Sequence, residues 1–246
     1  MGHDIWNFID NSDLNEYTLI VPSVAVGNVG QLSCDLLISS LQMKKIASVY
    51  SPALIPVLGY DPYNLQSNSL SSSCEIYKSD RKNIVVLQLR APLICKSARI
   101  FLEEIVKRFK EKNIKDIIIL TSSFAHENKH ISTSLFRFVA SESSLYKKKI
   151  LDLHWIEHKC VDSPLKIYGG GFSSLLYEIC QENSMPCLIL YKYCSEGDNI
   201  PDAYDMISHL SSVVPLFSDK FDLLSQMIQP VSWKLLFGRP PPRDIY

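Results

Sequence analysis

The chain has 246 residues, 46% of them hydrophobic and 21% charged, the balance of a globular protein with a sizeable core. Its 25 basic and 26 acidic residues leave a net charge of −1. The one notable basic run is Lys147-Lys148-Lys149, too little for a nucleic-acid partner, whose phosphates demand a broad basic stripe. No apolar stretch is long enough to cross a bilayer, so no membrane partner is expected.

The opening MGHDIWNFIDNSD lacks a basic segment followed by an apolar one, so no secretory signal is expected. Trp6 stands where a myristoylation signal needs Ser or Thr. Seven cysteines without a CxxC pair, and no Asn-x-Ser/Thr sequon, point to free thiols in a reducing compartment.

In chain order, the first dozen residues are polar and are expected to fray. Tyr17 to Val26 reads as a buried strand, and Asn28 to Leu41 as a helix with Leu32, Leu36, Leu37 and Leu41 inward. Ile46 to Tyr50 is a short strand. Leu54 to Leu58 is another, held to an edge by Pro56. Asp61 to Ser73 reads as a loop, and Glu75 to Lys78 with Ile84 to Arg90 as a hairpin. Lys96 to Lys112 is the clearest helix: Ala98, Phe101, Leu102, Ile105, Val106 and Phe109 share one face. Asp116 to Leu120 is a buried, parallel strand. The polar stretch Ser122 to Ser163 resembles an insertion or lid. Leu165 to Tyr168 is a short strand, Phe172 to Glu182 a helix, and Pro186 to Tyr193 the last strong strand. Helices follow at Ala203 to Val214 and Lys220 to Ile228, then a segment anchored by Trp233. Strands alternating with helices predict an α/β fold: one domain over residues 1–238, with a mostly parallel or mixed sheet covered on both faces. A tail follows over 239–246.

Chemistry is hard to find in these residues. Gly27-Asn28-Val29-Gly30 joins a strand to a helix, but lacks the full dinucleotide or P-loop pattern, and a structural turn is the favoured reading. His126-Glu127-Asn128-Lys129-His130 matches the zinc-peptidase pattern H-E-x-x-H, yet its flanks are polar where such a helix needs an apolar back. His154 and His158 lie four apart in a half-apolar segment and read as surface histidines. Gly171-Phe172-Ser173 begins a nucleophile elbow whose second glycine is missing, so Gly169, Gly170 and Gly171 read as a structural turn. Cys187 reads as a buried thiol. Between Ser195 and Ala203, around Gly197, three acids could serve a crevice at the strand ends, or cap the next helix through Asp202 or its neighbours, with Pro201 at the start; capping is favoured. No catalytic set, cofactor or metal is expected. The competing enzyme reading is a hydrolase or phosphorylase-like site near 169–171 and 195–199.

The tail is unusual. Trp233 to Phe237 should dock on the body, and RPPPRDIY then stiffens as polyproline II, reaching roughly 25 Å at about 3.1 Å per residue.

Several segments, VPSVAVGNVGQLSCDLLISSL, VVLQLRAP, YGGG, SEGDNIPDA and SWKLLFG, resemble the proteasome assembly chaperone 2 family, in order and across about Tyr17 to Gly238. The resemblance implies a non-catalytic protein with a phosphorylase/hydrolase-like α/β fold. It implies a heterodimer with a paralogue, proteasome assembly chaperone 1. The pair would bind α subunits of the proteasome core particle, scaffold the α-ring and block off-pathway ring dimerisation, in cytoplasm and nucleus. Some members insert a C-terminal hydrophobic-tyrosine-any tail between α subunits. Here the sequence ends Asp244-Ile245-Tyr246, one residue short of that pattern. The resemblance makes Arg243, Asp244, Ile245 and Tyr246 the candidate partner-binding residues, and assigns Gly27 to Gly30 to a strand–helix junction.

Overall fold

The computed structural model describes residues 5–10, 13–129, 133–158 and 164–235. The chain opens on β1 (Ile5–Phe8), where alternate Trp6 and Phe8 turn inward, so the segment expected to fray is an edge strand. Trp6 meets the Phe109 ring edge-on at 6.2 Å, which fixes the strand to the body. Next come β2 (Thr18–Pro22), α1 (Val29–Ser40) and β3 (Lys44–Tyr50). A small hairpin of β4 (Leu58–Tyr60) and β5 (Leu70–Ser72) follows, then β6 (Cys74–Ser79) and β7 (Ile84–Leu89). After α2 (Cys95–Glu111) come β8 (Asp116–Phe124), β9 (Phe136–Ala140) and α3 (Lys147–Asp152). The last elements are α4 (Ser173–Glu182), β10 (Cys187–Cys194) and α5 (Ile200–Val213).

Eight strands form one sheet in the order β1-β3-β6-β7-β2-β8-β10-β9. The centre, β7-β2-β8-β10, is parallel; the flanking pairs are antiparallel, so the sheet is mixed. The alternation of side chains along each strand builds two cores. Leu19, Val21, Ile117, Ile119 and Ile189 face α2 and α4, while Ile20, Ile118, Leu120, Leu188 and Leu190 face α1 and α5. The six apolar residues expected on one face of α2 are all buried, at roughly 2 kcal/mol for each large side chain. Trp233 docks as expected and is buried.

Five expectations are corrected. The stretch from Ser122 is no lid: β8 runs on to Phe124, and β9 pairs along β10 from Leu188↔Ala140 to Lys192↔Phe136. Leu54 to Val57 makes only one isolated bridge, Leu54↔Leu93, where Pro56 removes a ladder donor, and Leu58 instead opens β4 opposite Ser72. The loop Asp61 to Ser73 contains β5, which pairs with β4 as a separate hairpin. Leu165 to Tyr168 is irregular: the Ile167 carbonyl accepts the Gly170 amide, and the Tyr168 carbonyl accepts Ser123 Oγ. Lys220 to Ile228 holds only a 3-10 turn, Leu224–Gln226. There Asp222 accepts from the Ser225 amide at 3.0 Å, and Gln226 Nε2 donates to Ser218 O at 2.9 Å, local bonds that compete with a helix.

Candidate functional site

In a parallel α/β sheet the crevice beyond the strand carboxyl ends is the usual place for chemistry. Here β2, β8 and β10 end together, and the two glycine turns expected from the sequence meet over them. The chain closes this crevice on itself. Ser23 Oγ donates to Gly170 O at 2.9 Å and Thr121 Oγ1 to the same carbonyl at 3.0 Å. Ser122 Oγ donates to Val26 O at 2.5 Å, and Ser123 Oγ to Tyr168 O at 2.8 Å. The Val26 amide donates to Gly169 O at 3.0 Å and the Phe172 amide to Ser23 Oγ at 2.9 Å. Three of these hydroxyls fasten the end of β8 to the turns, and Ser23 ties its own loop to the glycine turn.

The glycines serve this seam. Gly27 has φ +65°, and a Cβ there would fall 2.6 Å from Asn199 Oδ1, so the Asn199 amide packs directly on this turn. Gly171 has φ +60°, and a Cβ would fall 2.1 Å from Val24 O. Asn28 takes the left-handed conformation between Gly27 and α1. Gly30 lets α1 approach the Leu120 carbonyl closely. Gly197 lies in an exposed loop with open space around it.

Cys194 ends β10, and its Sγ lies 3.6 Å from Val26 O. Burial, aided by the nearby Asp202, pushes it up to about 11, away from a reactive thiolate. The acids expected to cap α5 divide the work. Asp198 Oδ1 accepts the Ile200 amide at 3.1 Å, while Asp202 is the counter-ion of buried Lys192, Nζ to Oδ1 2.6 Å. Asp205 Oδ2 holds the same ammonium at 2.6 Å. Burial lowers the Lys192 pKa, but these two carboxylates outweigh it and leave it raised. Asp202 therefore does not cap α5: Asn199 stands at the cap position without a side-chain capping bond, and Asp198 takes only the Ile200 amide.

The remaining motifs disperse. His126 and Glu127 sit in a 3-10 turn, not the α-helix a zinc peptidase needs, and His130 lies outside the described residues. Among the described residues, no group of three or more metal-ligating side chains forms, and no helix is long and apolar enough to cross a membrane. His158 is not a surface histidine: its Nδ1 meets Tyr191 OH at 2.6 Å, and burial lowers its pKa. Ser173 is fully buried at the start of α4, not exposed as a nucleophile would be. Cys187 is fully buried, as expected. The candidate partner-binding residues Arg243, Asp244, Ile245 and Tyr246 lie outside the described residues.

Sequence reasoning missed an apolar end. A groove of about 450 Å³ opens beside β1, lined by Ile5, Tyr50, Val57 and Leu58 among others. The signal was present: residues 51–73 carry a single charge, Asp61. A charge network fixes this end. Buried Glu75 accepts from Lys45 Nζ at 2.5 Å, Ser71 Oγ at 2.7 Å and Tyr77 OH at 2.8 Å. Arg90 bonds Asp35 at 3.0 Å and Tyr63 OH at 3.0 Å, and its Nε reaches Ser71 Oγ at 3.2 Å.

The fold defines a class, the mixed α/β domain of Pyrococcus furiosus PbaA. That solved structure is described as an archaeal homolog of proteasome-assembly chaperone, and this chain matches it with a TM-score of 0.69 at 19% identity, covering 90% of this chain and 91% of that one. A PAC2 family model matches residues 19–226, and the chain belongs to that family. It is 34% identical to human proteasome assembly chaperone 2 over 95% of this chain and 96% of the relative. With the mouse protein of that name it shares 35% over 95% and 96%.

Proposed function

We propose that this chain is a non-catalytic chaperone of proteasome core-particle assembly. It works as a heterodimer with the paralogous proteasome assembly chaperone 1, binds α subunits, scaffolds the α-ring and blocks off-pathway ring dimerisation, in cytoplasm and nucleus and without a cofactor. The observation that carries the reading is the end-to-end match to relatives named proteasome assembly chaperone 2. The seam supports it: hydroxyls spent on Gly170, Val26 and Tyr168 carbonyls leave no activated nucleophile at the strand ends. Ile245 and Tyr246 contribute contacts to α subunits.

The test is capture of the tagged full-length chain from its own cells, with identification of the bound chains. The expected result is one related chaperone and proteasome α subunits, without mature proteolytic β subunits. Replacing Ile245 and Tyr246 by alanine lowers the α-subunit yield and leaves the chaperone partner bound. A soluble chain recovered alone would sink the reading.

A further inference from the structure

We propose that the apolar end of the sheet is where this chain docks its paralogous chaperone, edge strand against edge strand; the proposal rests on the heterodimer reading above.

The backbone makes the first argument. β1 ends the sheet. The Ile9 amide bonds Ile46 O at 2.7 Å, and in the Ile5↔Tyr50 register the antiparallel alternation then turns the Ile5 and Asn7 backbone groups toward β3. The N–H and C=O of Trp6 and Phe8 point outward, and no described strand pairs with them. The opposite edge is handled differently: β9 is covered where the Phe138 amide donates to Ile156 O at 3.2 Å and the His158 amide to Phe138 O at 2.8 Å. An open edge invites a strand, and only an extended backbone satisfies it.

The side chains beside that edge make the second argument. Ile5 and Tyr50 are cross-strand partners on the groove. Leu58 continues the surface onto the hairpin, where Tyr60 shares its strand face and Leu70 pairs with Tyr60. Exposure reaches 63% at Ile5, 68% at Leu58 and 80% at Tyr60. With Val57, these six side chains present on the order of 700 Å², close to the share of about 800 Å² that each partner gives to a standard interface. A lone monomer seldom exposes so large an apolar patch.

Charge selects the kind of partner. No residue lining the groove is charged, so a like patch meets it without repulsion. A partner that presents a like edge and hairpin meets both at once in a two-fold arrangement. The Glu75 and Arg90 networks hold the hairpin in place before docking, which lowers the ordering cost.

The experiment co-expresses the full-length chain with the paralogous chaperone and reads stoichiometry by light scattering and amide exchange by mass spectrometry. The expected result is a one-to-one complex in which the Trp6 and Phe8 amides gain protection. The double variant Leu58→Asp, Tyr60→Asp weakens pairing at least tenfold while the lone chain keeps its melting temperature, because both side chains face solvent. Ile100→Asp, on the exposed side of α2, pairs as wild type. A complex that forms equally well with the double variant, or leaves the β1 amides exchanging freely, would overturn this face and leave the heterodimer reading standing. Failure of the wild-type chains to pair would overturn both.

Discussion

Asp116 begins the central strand β8 fully buried, with no cation bonded to it among the described residues. Ser144 Oγ and the Leu145 amide donate to its Oδ2 at 2.8 Å each, while Oδ1 has no hydrogen-bond partner. Burial dominates and raises the carboxyl from 3.8 to about 6. The folded chain therefore binds this proton more tightly than the unfolded chain does. Asp116 costs stability above pH 6, by up to about 3 kcal/mol, and this cost fades as pH falls from 6 toward 4. Asp116→Asn keeps an acceptor for Leu145 and has no charge to bury. Urea unfolding of both proteins at pH 4.5 and 7.5 should show the variant gaining on wild type at the higher pH. His158 and His209 also titrate in folding, but they are common to both proteins and cancel in the difference. A pH-independent difference would mean that the carboxyl is not held neutral.

At the scale of elements, the hairpin β4–β5 shows what a buried charge can organise. It has too few strands for independent stability, and its face toward the body is polar, with Ser71 bonded to Glu75. Glu75→Gln withdraws a charge from Lys45 and turns an amide toward donors that need an acceptor. The expected loss is about 2 kcal/mol, discounted because Lys45 is partly exposed. Exchange at residues 70–72 should rise more than at β2, and equal rises would show that Glu75 does not anchor the hairpin. The same region explains what the sequence hid. α2 was legible because one stripe repeats at helical spacing over seventeen residues. The central strands were legible because both faces are buried. β1, β5 and β9 were not: each has three to five residues, and their pairing depends on distant partners. Leu165 to Tyr168 resembled a strand because local hydropathy cannot show that the Tyr168 carbonyl meets the Phe124 amide and Ser123 Oγ. The glycine turns were read correctly as structural, yet their meeting over Ser23 and Thr121 is a tertiary fact.

At the scale of the molecule, a sheet that could house an active site has its strand ends sewn shut and an apolar flank left open. These two features make opposite predictions for mutation, and that contrast separates a scaffold from an enzyme. Ser122 is fully buried and donates to Val26 O at 2.5 Å. Ser122→Ala removes that bond, so the chain should lose about 1 kcal/mol of stability. In an enzyme whose nucleophile or oxyanion donor sat here, the same change would abolish function at any temperature. In a chaperone that works through its surfaces, function follows the folded fraction alone. Capture of α subunits by Ser122→Ala, measured well below its melting temperature, should therefore match wild type. Loss of capture from a variant that remains folded would place the working surface at the seam and remove the argument for a closed crevice.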